Sequence, residues 1–368
     1  MTRKHVLLLS GIALAVAGAI LRHAPAGDLN EEPSREVNPN TVATRHTYHA
    51  GAEALKWLAR QQADDGSWHY SLPAGSPPPA ASRVEATAWV LTVMASSGYT
   101  HVPPGPFRAQ IKQGVEFLLV QQRASPRKDD FSGRDNAMVA HALSTCVMAD
   151  IYALTGQSSL REPVRRAAEL IVATQDSKTG GWLATTGKAA DLAATYRQLA
   201  ALLAAASALE EPKYRDAARR ASQFLGTLRA PDAAPRGNAR SEKGYIDMAM
   251  DLICQMGITG RRDDPALQPR IQAILDRGPA KNDAVYNYYA TQVVFDWDGE
   301  GAWMTWDKWN GTLRWELIAT QVKKGDETGS WPPGTGSDLA EDRLYRTVLN
   351  TLALQVVPRH MHRSFHFR

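Results

Sequence analysis

One short unit occurs three times in this chain, and it constrains what everything between the copies can fold into. The first copy, from Ala52 to Trp68, reads AEALKWLARQQADDGSW. The second, AAELIVATQDSKTGGW, spans Ala167 to Trp182, and the third, RWELIATQVKKGDETGSW, spans Arg314 to Trp331. Each combines an apolar pair, a Gln, a polar turn and Gly-x-Trp. In the first copy Ala54, Trp57 and Leu58 recur at helical spacing, while Lys56, Arg60 and Gln61 turn to water. Gln62 closes the helix, Asp64-Asp65-Gly66 makes a tight turn, and Trp68 comes back towards it. Carbonyls at a helix end lack intrahelical partners, and a Gln amide can bond the backbone of the next turn. The expectation is a clamp, with the indole flat over the amide. Three residue pairs would form it: Gln62 with Trp68, Gln175 with Trp182, and Gln321 with Trp331. Each would pin the end of one helix to the start of the next connection.

From about His46 a helix pair recurs six times. The first helices start near residues 51, 114, 163, 215, 267 and 309. The second helices read as 81–98, 135–156, 189–209, 244–260, 283–297 and 341–357. They are apolar around most of their circumference, and several are rich in Ala, whereas the first helices keep a charged stripe. A helix apolar on every side must be enclosed. Supersecondary repeats of this length stack into arrays or close into rings. The fold class expected is therefore all-α, an (α/α)6 toroid with charged-striped helices outside and apolar ones inside. Nothing suggests strands or a second domain, so 46–368 reads as one domain.

The first residues stand apart. Arg3, Lys4 and His5 precede Val6 to Leu21, a run of about 16 uncharged residues followed by Ala24-Pro25-Ala26. At about 1.5 Å per residue this run spans roughly 24 Å, short of the ~30 Å hydrocarbon core. Residues 1–26 read as a secretory signal peptide, with a retained membrane anchor as the alternative, so the protein is expected to be exported. Membrane association would run through this segment. Residues 27–45, polar and aperiodic with Pro33 and Pro39, read as a linker. Three of the 42 Lys+Arg lie in the leader and none of the 38 Asp+Glu, leaving 39 basic against 38 acidic residues. A net charge of +1 over the remainder argues against a nucleic-acid partner. Cys146 and Cys254, each inside an apolar helical segment, read as buried free thiols, with a disulfide as the alternative.

The Gln…Gly-x-Trp units resemble the QW repeats of squalene–hopene cyclases and the related repeats of protein prenyltransferase β subunits. A closer resemblance is to bacterial prenyltransferase/squalene-oxidase-repeat proteins. It is carried by Asn136-Ala-Met-Val-Ala-His141, Thr179-Gly-Gly-Trp182, Asp263-Asp264-Pro265, Tyr286-Asn-Tyr-Tyr-Ala-Thr-Gln292, and Gly329-Ser-Trp331 with Arg343-Leu-Tyr345. The resemblance implies the toroid and an interior suited to an apolar small molecule, an isoprenoid or lipid. It supplies no reaction. The Asp-x-Asp-Asp acid of class II terpene cyclases is missing; Asp296-Trp-Asp298-Gly-Glu300 ends a second helix and lacks the second consecutive Asp. Protein prenyltransferases bind zinc through Asp-x-Cys, whereas Asp251 and Cys254 are three apart, so neither a metal nor a cofactor is expected. Repeat four has lost the Gln and Gly-x-Trp, and repeat two keeps Gln122 without the Trp.

Inner helices of such a ring run the same way, so their positive N-terminal ends converge on one rim. Glu85, Asp135, Asn136, Asp191, Asp283 and Asp342 open those helices; capping is enough to explain Asp and Asn there, and the alternative is that the acids together hold a divalent cation or protonate an alkene. His141 reads as a core histidine or as a cavity-lining acid–base group. Tyr286, Tyr288 and Tyr289 either pack a helix junction or grip an isoprenoid. Arg343 and Tyr345 open the last inner helix, where a cation opposes the helix dipole. The candidate rim site is thus Asp135, Asn136, His141, Asp191, Asp283, Tyr286, Tyr288, Tyr289, Arg343 and Tyr345, with no catalytic residue assigned. The alternative to an isoprenoid- or lipid-handling toroid is an interaction scaffold whose centre is filled by its own side chains. A carbohydrate-active toroid lacks paired carboxylates at suitable spacing.

Overall fold

The structure, a computed structural model, describes residues 41–71, 80–132, 137–182, 192–227, 242–297, 302–334 and 342–356. Those residues form twelve helices and no strand, in six consecutive pairs. The pairs are α1 (Thr41–Arg60) with α2 (Ala80–Ser96), α3 (Arg108–Ala124) with α4 (Met138–Thr155), and α5 (Ser158–Ala173) with α6 (Leu192–Leu209). The remaining three are α7 (Pro212–Thr227) with α8 (Glu242–Thr259), α9 (Gln268–Arg277) with α10 (Ala284–Asp296), and α11 (Ala302–Thr320) with α12 (Arg343–Leu354). The leader, most of the linker, Asp135, Asn136, Asp191 and the His-bearing tail lie outside the described residues.

Packing follows the patterning. The even-numbered helices touch in sequence, α2 on α4, then α6, α8, α10 and α12, and α12 returns to α2. That return closes the ring. The odd-numbered helices form the outer layer; α5, for example, packs on both α4 and α6, and α11 on both α10 and α12. Along α4 the buried set runs through Ala140, His141, Ala142, Ser144, Thr145, Val147, Met148 and Ala149, on every side of the helix. On α5 burial is confined to Leu160, Val164, Ala167, Ala168 and Ile171, the i, i+4, i+7, i+8, i+11 stripe. The helix α4 is long and apolar enough to cross a membrane, but here it is enclosed by its ring neighbours. This is the expected (α/α)6 toroid.

The seam of the ring has its own small core, in which Ala50 and Ala54 of α1 meet Leu313, Leu317, Trp331, Ala353 and Leu354. Closure depends on bonds between chain segments some 270 residues apart. Gln321 Nε2 donates to the Ala50 carbonyl (2.8 Å), Trp57 Nε1 to Glu327 Oε2 (2.8 Å), and the Ser71 N–H to Asp342 Oδ2 (2.8 Å).

Candidate functional site

The three recurrent turns bond in the same way, as the expected clamp with one further bond added. Gln62 Nε2 donates to the Gly66 carbonyl (2.9 Å) and to Gln110 on α3 (2.9 Å). Gln175 Nε2 donates to Gly180 (2.7 Å) and to Ala217 on α7 (2.9 Å), and Gln321 Nε2 to Gly329 (2.9 Å) and Ala50 on α1. Each amide therefore joins its own turn to the next outer helix. It couples neighbouring repeats and not only consecutive segments. The indole N–H supplies the bond to its own outer helix: Trp68 to Leu58 (2.6 Å), Trp182 to Ile171 (2.9 Å), Trp331 to Leu317 (2.9 Å). The backbone N–H of each Trp donates to a Thr hydroxyl on the following inner helix, Thr87, Thr195 or Thr347. All three indoles are fully buried.

Those Thr residues lie near the starts of α2, α6 and α12, so the inner helices begin at the rim that carries the turns. His141 occupies the same place on α4. Its Nδ1 accepts from the Phe131 N–H (3.1 Å) and its Nε2 faces the Ala167 carbonyl (3.2 Å), with Asp130 Oδ1 at 3.2 Å from Nδ1. Burial pushes the Asp130 carboxyl up, but the adjacent His141 and the hydrogen bonds from Ser132 outweigh this and hold it below its ordinary value. On α10 the acceptor is Asn287, whose Oδ1 takes the Ala280 N–H (2.9 Å). Asp283 caps α10 through the Tyr286 N–H (2.9 Å), and Asp342 caps α12 through the Tyr345 N–H (3.0 Å). Arg343 Nη1 donates to Ser330 Oγ (2.9 Å), with its Nε 3.7 Å from Glu327 Oε2. Tyr286 is packed between Tyr245, Trp309 and the Arg277 guanidinium, under α9. The rim set therefore does not converge as a whole. His141, Asp283, Tyr286 and Arg343 are bound into turns and junctions and do not line the central cavity.

That cavity lies among five inner helices. Trp89 and Thr92 come from α2, Leu143 and Cys146 from α4, Tyr196 and Arg197 from α6, Ile253 and Cys254 from α8, and Tyr288, Tyr289 and Gln292 from α10. Its volume is ≈ 90 Å³, about that of three waters at liquid density. Trp89 meets Tyr288 edge-on at 5.8 Å and Tyr345 at 5.9 Å; Tyr288 and Tyr289 lie 4.8 Å apart, and Tyr70 packs on Tyr345. Tyr288, Tyr289 and Tyr345 thus meet in one aromatic cluster. Arg197, half-buried, stands over Trp89 at 6.0 Å. Burial works against its charge, but Tyr289, Tyr345 and Glu85 around it outweigh that and raise its pKa further. Gln292 Oε1 is buried without a hydrogen-bond partner. Cys146 and Cys254 form no disulfide, and burial pushes the Cys146 thiol well up. Asp251 faces Arg270 and Gln255.

Sequence reasoning missed Trp89 and Arg197. The signal lay in ASRVEATAWV and AATYRQLAALL, where a Trp and an Arg interrupt helices that must be enclosed.

No protein-family model matches the sequence, and no curated protein matches it. Solved structures match the fold. The type II terpene cyclase MstE from Scytonema, in its apo form, superposes with a TM-score of 0.58 at 14% identity, covering 86% of this chain and 99% of that one. An α-1,6-mannanase from Salegentibacter superposes with a TM-score of 0.59 at 10% identity, covering 83% and 97%. A variant of MstE in complex with geranylgeranyl dihydroxybenzoate, its substrate, gives 0.57 at 12% identity, covering 86% and 98%. The chain is an (α/α)6 toroid. At these identities the likeness defines the fold alone, and a lipid-acting and a sugar-acting enzyme share it.

Proposed function

We propose that this toroid binds an apolar isoprenoid or lipid in its central cavity. The observation that carries the reading is the cavity wall, in which Trp89, Tyr288 and Tyr289 meet Leu143, Ala200, Met250 and Ile253. An apolar, aromatic-lined space at the ring centre supports the ligand reading through the composition of its wall. A glycosidase needs two carboxylates facing one bond, about 5–9 Å apart; no carboxylate lines the cavity among the described residues. The complex of the terpene cyclase with a geranylgeranyl substrate supports the apolar reading by fold analogy. Export through residues 1–26 belongs to the same proposal, and the protein would then meet its ligand outside the cytoplasm.

Native mass spectrometry of the purified toroid, followed by solvent extraction, tests the reading. The expected result is an adduct that extraction recovers as an isoprenoid or lipid and that Tyr288→Ala weakens. Protein that stays free of ligand when incubated with prenyl alcohols and lipids would favour the scaffold. Cell fractionation that leaves the full-length chain soluble in the cytoplasm would remove the export proposal.

A further inference from the structure

We infer that the ligand of this cavity carries a single anionic head, a carboxylate on an apolar chain, seated on Arg197. The inference rests on the isoprenoid or lipid reading and narrows it. Arg197 lies about one and a half turns into α6, and its side chain borders the cavity. No carboxylate of the described residues forms an ion pair with it; Glu85 of α2 acts on it only from further away. A cation in a low-dielectric interior is costly until an acidic group meets it at bonding distance. Glu85 is a poor candidate for that role, since burial pushes its carboxyl up and weakens its own hold on charge. A carboxylate entering the cavity can take two parallel N–H bonds from the planar guanidinium.

The surroundings fix the class. Trp89 lies under the cation, the Tyr345 hydroxyl takes one of its hydrogen bonds, and Tyr289 is close by. The remaining wall is apolar, with Leu143, Met250 and Ile253 facing the space. One charged point on an apolar wall matches an amphiphile with one head. A diphosphate carries two or more charges and would need further cations, and none lines the cavity among the described residues. A sugar would need several converging hydrogen-bonding groups. Ten-carbon probes present one head on a short apolar chain.

Isothermal titration of the folded domain with geranate and with geraniol, identical apart from the head, decides the matter. The wild type should bind geranate at least tenfold more tightly than geraniol. Arg197→Met should weaken geranate by about ten- to a hundredfold, the range for a charge-assisted bond, and leave geraniol within about twofold. Arg197→Lys, which keeps the charge but not the fork, should fall between. Bound geranate should also slow alkylation of Cys146 and Cys254 by N-ethylmaleimide, since both line the same space. Equal affinity of the wild type for the two probes, or an Arg197→Met protein that retains geranate, overturns the inference while leaving an apolar site in place. If Arg197→Met does not fold, the head preference of the wild type and the Lys variant still decide. Failure of both probes to bind the folded wild type removes the cavity reading itself, and the head assignment with it.

Discussion

Repeats one, three and six carry the Gly-x-Trp turn, and repeats two and five do not, yet all five hold an inner helix against its outer partner. Their hydrogen bonds show what is shared. In every case a backbone N–H of the turn donates to a side-chain acceptor near the start of the inner helix. The acceptor is Thr87, Thr195 or Thr347 in the Trp turns, His141 in repeat two and Asn287 in repeat five. The second bond, from the aromatic residue back to the outer helix, is strong only in the Trp turns. Tyr286 reaches the Ile274 carbonyl at 3.4 Å, and Phe131 has no donor. Backbone capture is thus common to all five, and the indole and Gln are additional fasteners.

The largest effect that sharpens this comparison is expected at Trp182. The Trp182→Ala variant removes a fully buried indole and its bond to Ile171. It should cost about 3–5 kcal/mol in urea unfolding. Tyr286→Ala in repeat five should cost less, because its hydroxyl bond is at the limit of length. Equal losses would mean that packing volume alone sets the strength of the turns.

Glycine gives the next contrast. Gly66, Gly180 and Gly329 have φ of +85, +83 and +97°, and a Cβ at each would strike a backbone carbonyl of the next outer helix. At Gly66 it would sit 2.6 Å from the Gln113 oxygen, at Gly180 2.8 Å from that of Arg220, and at Gly329 closer still to that of Glu53. Gly278, the repeat-five counterpart, has φ +69° and open space around it. Gly329→Ala should lose about 2–4 kcal/mol, combining left-handed strain with displacement of α1 at the seam. Gly278→Ala should lose about 1–2 kcal/mol, from strain alone. Comparable losses in thermal unfolding would show that close approach between repeats does not explain the glycine of Gly-x-Trp.

Much of this architecture was legible before the structure. Six alternations of charged-striped and all-apolar helices admit few solutions, and the ring follows from enclosing the second set. The turns were legible as units, but not the partners of their donors. The second acceptor of Gln175 is Ala217, on the next repeat, and sequence spacing within one repeat carries no record of it. The rim site was harder to read because Asp283 and Asp342 look the same in sequence whether they cap a helix or meet a ligand. Tyr288, Tyr289 and Tyr345 come together because helix α12 returns to α2 beside α10, a fact of ring closure. Arg197 was passed over, although its helix was expected inside, because sequence does not tell whether one Arg on an inner helix reaches the rim or the cavity.

The smallest expected effect concerns Arg343, and it tests whether the start of α12 belongs to the turns or to the ligand. Arg343 donates to Ser330 of Gly-Ser-Trp, as Arg83 at the start of α2 donates to Ser67 of the first copy (2.8 Å). Both arginines also face an acid of their turn, Glu327 for Arg343 and Asp65 for Arg83. Glu327 in turn accepts from Trp57 of α1, so Arg343 sits at the seam of the ring. The acid that offsets a cation at this helix start is therefore supplied by the protein. Glu327 is half exposed, and the pair at 3.7 Å is screened by water. Arg343→Met keeps much of the side-chain stem and should cost no more than about 1 kcal/mol. A double-mutant cycle with Ser330→Ala should recover most of that loss as coupling. Geranate affinity per folded molecule should stay within about twofold of wild type, in contrast to Arg197→Met. A variant of unchanged stability that loses geranate binding would put Arg343 in the ligand site and restore a rim that takes anions.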